Sequence, residues 1–489
     1  MINRCTPAAL AAALLLAGCS FIPTYERPAA PVPEAYRSAS APQGDAASSQ
    51  AAAALPWKDY FTDPRLQQLI SLALTHNRDL QVAVLNIERA RAQYQITRAD
   101  QYPTIGAGAS ATRAPDVANG GYDNSFSVGL VTTAWELDFF GRVGSLKQQA
   151  LAQYLATEEG MRAAQVSLVS AVANAWYTLL ADEELLEISR RTLQTREASV
   201  KLTKLRFDAG ATSELDYRQA VSLTEAARAT LAQQQRQRAL DENALVVLLG
   251  QSMPADIRAS LAGTRLQQAP SLAPLPAGLP SDLLIQRPDI RQAEQLLIGA
   301  NANIGAARAA FFPRIALTAQ VGTASNELSG LFKSGAWGFS LAPSALLPIF
   351  DAGRNSANLE AAKVGQRIAL AQYEKSIQTA FREVSDALDS QASLQEQGRA
   401  QNAQLEAETV RLKLADLRYT NGVSSYLDLL DAQRSLFALE QAVVQVRLAQ
   451  LQNQLQLYKA LGGGSTEATP LATAPAKTAA VTAVDTAAR

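Results

Sequence analysis

The 489-residue chain holds a single histidine, His76, and two cysteines, Cys5 and Cys19. A histidine base, a thiolate nucleophile or a zinc site has almost no side chains to draw on. Excess charge is missing too: 44 basic against 45 acidic residues gives no field for holding nucleic acid. Beyond the N-terminus there is no apolar run of about 20 residues, which removes a transmembrane helix and leaves strands as the only route through a bilayer. At this length one ordinary core does not suffice, so the chain forms two or three domains or one very elongated one.

What is present begins with "MINRCTPAALAAALLLAGCS". Arg4, the apolar run Ala8 to Leu16 and the small residues after it read as a secretory signal over residues 1–18. The run ends in "LAGC", Leu16 to Cys19, which resembles the lipobox of bacterial lipoproteins. That resemblance implies cleavage before Cys19 and a covalent lipid on it, N-acyl and S-diacylglycerol. Cys5 leaves with the leader, so no disulfide is expected. Ser20, where an inner-membrane retention signal shows Asp, favours the outer membrane.

The body is written twice. Leu205, Arg206, Gly210, Ser213, Leu215, Asp216 and Ala220 recur 212 residues on as Leu417, Arg418, Gly422, Ser425, Leu427, Asp428 and Ala432. Gly141-Arg142 returns as Gly353-Arg354 at the same offset. The expected division is a lipid-anchored extension over 19–65, a first repeat over 66–250, a linker over 251–280, a second repeat over 281–462 and a disordered tail over 463–489.

Each copy has one grammar. A helix-like segment (Leu66 to Asp100; Ser281 to Ala310) ends at Pro103 or Pro313. Alternating stretches follow, among them "IALTAQVG" from Ile315, "FSVGLVTTAW" from Phe126 and "WGFSLAPSAL" from Trp337. Period-two alternation predicts strands. Trp135, Phe139, Phe140, Phe332, Trp337 and Phe350 cluster at their ends, as core aromatics or as interfacial girdles of a membrane barrel. Leu146 to Phe207 and Asn355 to Tyr419 contain no proline. At 1.5 Å per residue each helix would reach roughly 90 Å. A Gly-containing turn then reverses the chain into a return helix. In the second, Leu429, Leu436, Val443 and Leu457 recur on a seven-residue spacing, with Ala432, Leu439 and Val446 between them, as in a coiled coil. The fold class expected is mainly α with a small membrane β-barrel.

Four strands cannot close a barrel, and an open sheet edge facing lipid would leave unpaired N–H and C=O groups. If these strands enter a membrane the chain must oligomerise, and three copies give twelve strands.

Five stretches then carry a family resemblance: "AWELDFFGR" (Ala134 to Arg142), "GLPSDLLIQRPDIRQAE" (Gly278 to Glu294), "GAARAAFFPRI" (Gly305 to Ile315), "LPIFDAGR" (Leu347 to Arg354) and "SYLDLLDAQRSLF" (Ser425 to Phe437). Together they resemble the outer-membrane efflux channel (outer membrane factor) family, in its OprM-type lipoprotein branch related to TolC. The resemblance implies a homotrimer, with a twelve-stranded outer-membrane barrel continued by a twelve-helix periplasmic α-barrel. It implies an exit duct for drugs and toxic small molecules, served by a periplasmic adaptor (membrane fusion protein) and an inner-membrane RND transporter, with no enzymatic activity and no cofactor beyond the lipid. It also implies a periplasmic gate at Tyr419, Leu427, Asp428 and Asp431, with Asp216 as the first-repeat counterpart of Asp428. Aspartates from three chains would attract cations, leucines would exclude water, and opening would be helix repacking. Where the TolC branch has an arginine after the turn glycine, this chain has Ser424.

Other readings differ in what they require. A periplasmic adaptor lipoprotein would show a strand-rich lipoyl-like module in place of two equal copies. A carboxylate enzyme at Asp428 and Asp431 would need a base, nucleophile or phosphate loop beside them. Within the channel reading, type I protein secretion and metal-ion efflux are alternatives to drug export. His76 is expected to be an exposed polar residue.

Overall fold

A computed structural model describes residues 20–33, 36, 55–115, 120–270, 272–273, 284 and 286–464. Cys19, the leader and residues 465–489 lie outside the described residues. The chain is mostly helical, with one four-stranded antiparallel sheet. It divides into two compact units, each drawing on both sequence copies. One comprises Met1–Glu34, Leu85–Ala163 and Leu284–Phe381, the other Ala35–Val84, Ala164–Leu283 and Arg382–Arg489.

The elements in chain order are α1 (Trp57–Tyr60), α2 (Pro64–His76), α3 (Arg78–Ala99), β1 (Gly106–Pro115), β2 (Tyr122–Leu137), α4 (Arg142–Asp208), α5 (Glu214–Leu249) and α6 (Ala255–Leu261). There follow α7 (Pro288–Ala309), β3 (Arg314–Ser325), β4 (Trp337–Leu346), α8 (Arg354–Thr420) and α9 (Tyr426–Ala460). The two long helices have 67 residues each. Among the described residues no helix is long and apolar enough to cross a membrane.

The unit containing the sheet has the strand order β1-β2-β3-β4, which leaves the outer edges of β1 and β4 unpaired among the described residues. Its register sorts the side chains onto two faces. One carries Ala107, Ala109, Phe126, Val128, Leu130, Val321, Phe339 and Leu341; the other carries Ser110, Thr112, Ser127, Gln320 and Ser340. The apolar face is open, with Phe339 78% and Leu341 61% exposed. One row of the polar face is glycine on every strand: Gly108, Gly129, Gly322 and Gly338 are successive partners. The reason is close approach, since a Cβ on Gly129 would lie 2.7 Å from the Gly322 Cα. A bulge between Thr132 and Trp135, with Ala134 at φ 50, shifts the register near the end of β2.

At the end of β2, Glu136 accepts from Arg142 (2.6 Å) and is paired with Arg314 of β3 at 2.5 Å. Each long helix starts on an aspartate. Asp138 accepts from Gly144 N at 2.6 Å, and Asp351 accepts from Gly353 N and Asn355 N at 3.0 and 2.9 Å. The N-terminal strap lies along α7. Glu294 receives a two-pronged bond from Arg27 (2.7 and 2.9 Å), Asn301 donates to Pro23 O at 2.7 Å, and Phe21 stacks on Phe312 at 4.6 Å.

In the second unit the core gathers Tyr60, Phe61, Leu66, Ile70, Trp176, Tyr177 and Tyr458, with Tyr60 and Tyr458 stacked at 4.0 Å. The segment Leu66 to Asp100, expected as one helix, breaks at Asn77. Its Oδ1 accepts from Leu80 N at 2.9 Å while its Nδ2 donates to Leu248 O at 3.0 Å, so one side chain caps α3 and ties the break to α5. Gly250 sits against the His76 carbonyl at φ 69, where a Cβ would collide with it. His76 is therefore half-buried, its Nδ1 3.1 Å from Leu72 O, and not the exposed residue expected. Of the heptad positions, Leu429, Ala432, Leu439, Val443, Val446 and Leu457 are buried and Leu436 is half-buried.

Candidate gate at the hairpin turns

The turn between α4 and α5 and the turn between α8 and α9 close with the same bonds, 212 residues apart. Gly210 N donates to Phe207 O (2.9 Å) and Ala211 N to Arg206 O (2.7 Å); Gly422 N donates to Tyr419 O (3.0 Å) and Val423 N to Arg418 O (2.8 Å). Gly210 and Gly422, at φ 70 and 72, occupy the left-handed position that this helix ending requires. Each return helix starts on a serine cap: Ser213 Oγ accepts from Asp216 N at 3.1 Å, and Ser425 Oγ from Asp428 N at 3.4 Å.

Those caps distinguish the two repeated aspartates. Asp216 Oδ2 accepts from both Thr212 Oγ1 (2.9 Å) and Ser213 Oγ (2.8 Å), so its carboxylate belongs to the cap of α5. Asp428 lies exposed on the first turn of α9. Leu427 beside it is 57% exposed, as its counterpart Leu215 is 66% exposed.

The opposite side of α9 is packed. Tyr426, Leu429 and Leu430 are buried with Ala220 of α5, and Val200, Leu223, Leu412, Ala415 and Tyr419 pack on them. Burial pushes the Tyr426 phenol above its ordinary value. Tyr419 joins this cluster at 5.3 Å from the Tyr426 ring and accepts from Arg206 Nη1 at 2.7 Å. The Arg206 guanidinium also lies over the Tyr419 ring at 5.1 Å. This contact, together with the packing of Ala220 on α9, ties the first hairpin to the second.

Asp431 stands paired within its own chain. Arg411 of α8 donates to Oδ2 at 2.5 Å, and Arg434, one turn on, donates to Oδ1 at 3.4 Å. The hydrogen bonds from Arg411 and then Arg434 hold the Asp431 carboxyl below the usual carboxylate range.

The structure brings Tyr419 to Arg206 and Tyr426, and Asp431 to Arg411. It leaves Leu427 and Asp428 free on the exposed side of α9. Sequence reasoning missed Arg206, Arg411 and Arg434. Arg411 was recoverable, because it precedes Asn421 by as many residues as Asp431 follows it, which sets both at one level of an antiparallel hairpin. Among the described residues no cluster of three His, Cys, Asp or Glu side chains could hold a metal ion.

A strand sheet with an apolar face and two open edges, joined to duplicated helical hairpins, defines a class of membrane channel chains. The sequence profile described as "Outer membrane efflux protein" matches residues 69–251 and 279–463. The chain is 46% identical over 463 residues to the probable efflux pump outer membrane protein TtgC of Pseudomonas putida, covering 94% of this chain and 95% of that one. It is 44% identical over 462 residues to the outer membrane protein OprJ of Pseudomonas aeruginosa, at 93% and 95% coverage. The crystal structure of the open state of the Neisseria gonorrhoeae MtrE outer membrane channel superposes with a TM-score of 0.82 at 41% identity, covering 92% of this chain and all of that one. The chain belongs to the outer membrane efflux protein family. It is an outer-membrane channel component of an efflux pump.

Proposed function

We propose that three copies of this chain form the exit duct of a tripartite, RND-type multidrug efflux pump, anchored by lipid on Cys19 and gated at the hairpin turns. The observation that carries the trimer is the four-stranded sheet with the outer edges of β1 and β4 both unpaired among the described residues and an apolar face open. In lipid each unpaired backbone group would cost several kcal/mol, so the edges must meet other copies. Three copies join β4 of one to β1 of the next and give twelve strands. The names of the curated relatives, efflux proteins for antibiotics, toluene and solvents, support small toxic molecules as cargo.

The gate reading assigns separate roles. Leu427 and Asp428, on the exposed side of α9, meet their copies around the threefold axis. Asp431 is held back by Arg411, and Tyr419 with Arg206 locks the two hairpins of one chain together. Asp216 sets the turn of the first hairpin and does not line the constriction. A periplasmic adaptor opens the ring by drawing the hairpins apart, and an inner-membrane RND transporter supplies the cargo.

The test is a deletion strain scored against a drug panel, with the tagged protein used to co-purify its adaptor. Expected are loss of resistance, restoration by the intact gene, and an adaptor in the eluate. Unchanged sensitivity to every compound would overturn the reading. For the anchor, Cys19→Ala should abolish acylation; an unlipidated wild-type terminus by mass spectrometry would contradict it.

A further inference from the structure

The strap and a cavity occupy opposite faces of α7. The strap touches α7 at Glu294, Asn301 and Arg308, and Ile22 packs where a Gly305 side chain would stand, 2.5 Å from that Cβ position. A cavity of about 580 Å³ opens between α4, α7 and α8, lined from α7 by Leu296, Gly299, Ala300, Asn303 and Ala307. At about 100° per residue these two sets centre roughly 150° apart around the helix. The strap starts one residue after Cys19. In the duct reading, on which this inference rests, it runs outside the wall towards the lipid. The cavity then faces the lumen.

Its lining is polar but uncharged. No ionisable side chain lines it. Four side-chain amides do: Gln149, Gln153, Asn303 and Asn358. None of the four makes a side-chain hydrogen bond among the described residues, whereas Asn301, on the strap face of α7, and Asn355 both do. Four amides offer eight donor hydrogens and four acceptor oxygens, counted from about two and one per group. Gly365 also lines the cavity and has open space where a side chain would stand, which leaves room beside these groups.

We propose that this cavity is a transit site in the duct for neutral solutes that carry amide or hydroxyl groups. Charge neither attracts nor repels there, and hydrogen bonds made in water-filled space give only weak retention. Such a site receives cargo and releases it, which a duct requires.

The test uses the intact trimer in planar bilayers and 4-hydroxyacetanilide as the probe. Ala361→Cys places a thiol on the cavity rim. A bulky, membrane-impermeant maleimide should lower the conductance of this variant and leave the parent unchanged. Saturation-transfer NMR on the same preparation should show saturable binding of 4-hydroxyacetanilide, weakened at least tenfold in Asn303→Leu/Asn358→Leu, with no saturable binding of benzoate. A maleimide that reacts without changing the current would put the cavity outside the lumen and overturn the proposal. Binding that does not saturate, or that survives the double substitution, would overturn it equally. A preparation that conducts yet binds nothing sinks the transit site alone, whereas one that never conducts sinks the duct reading beneath it.

Discussion

Arg411 and Asp431 meet at 2.5 Å across the second hairpin, and the first hairpin has Ser199 and Gln219 at the same two positions. The acid that breaks the sixfold likeness of the turns therefore arrives with its own cation. This pair holds α8 against α9 near the second hairpin turn and keeps one aspartate per chain from presenting a bare charge. Removing Arg411 should both loosen the hairpin and expose the carboxylate.

Arg411→Ala should raise single-channel conductance and cation selectivity, and Arg411→Asp with Asp431→Arg should return both towards the parent. Because the pair depresses the Asp431 carboxyl, its contribution persists at pH 5 and is lost as pH falls below the ordinary carboxylate range. Conductance should rise in that acid range in the parent and not in Asp431→Asn. A charge-swapped variant behaving like either single variant would remove the pair from the mechanism.

Asp216 recurs as Asp428, yet its carboxylate is committed to the hydroxyls of Thr212 and Ser213. Asp216→Ala should cost on the order of 1 kcal/mol of stability, the usual net value of the hydrogen bonds lost, with ion selectivity unchanged. Thermal unfolding and reversal potentials measure the two arms. Selectivity falling as far as in Asp428→Ala would show that both aspartates line the pore.

The comparison of these two aspartates marks how far the sequence could be read. The 212-residue repeat predicted two hairpins, and their turns share one hydrogen-bond pattern. β4 runs from Trp337 to Leu346, the stretch its alternation marks out. Side-chain partners were not legible in the same way. Asp216 and Asp428 look equivalent because position is repeated, but the residues around them, Thr212 against Ser424, are not. Asn77 escaped notice because a cap inside a helical pattern is visible only once α5 is packed beside it.

Asp182 on α4 is 5% exposed, and burial followed by the neighbouring Asp241 carboxyl pushes its pKa up to about 8. Asp241 also accepts from Gln237 at 2.9 Å, while Glu183 and Arg238 stand close by. A carboxyl raised in the folded state binds its proton more tightly there, so its contribution is full below the ordinary carboxylate range and is lost as pH rises towards 8. Asp182→Asn should therefore gain stability over the parent by on the order of 1–3 kcal/mol more at pH 8 than at pH 5. Denaturant midpoints at both pH values measure it, and an equal difference at the two would contradict it.

The glycine row fixes how closely β2 and β3 approach. Gly129→Ala drives a methyl into the backbone of Val321 and Gly322, whereas at Gly108 the nearest atom is a side-chain methyl of Val131 at 3.1 Å. Gly129→Ala should abolish heat-resistant trimers on gels, and Gly108→Ala should retain them. Equal trimer yields would mean the strands have room that this register denies.

Single-channel conductance of the purified trimer, compared with Asp428→Ala/Asp431→Ala, tests the gated duct most directly. Expected is a small, cation-selective conductance in the parent and a several-fold larger, less selective one in the double variant. Identical conductance and selectivity in the two would contradict a gate at the second hairpin turn.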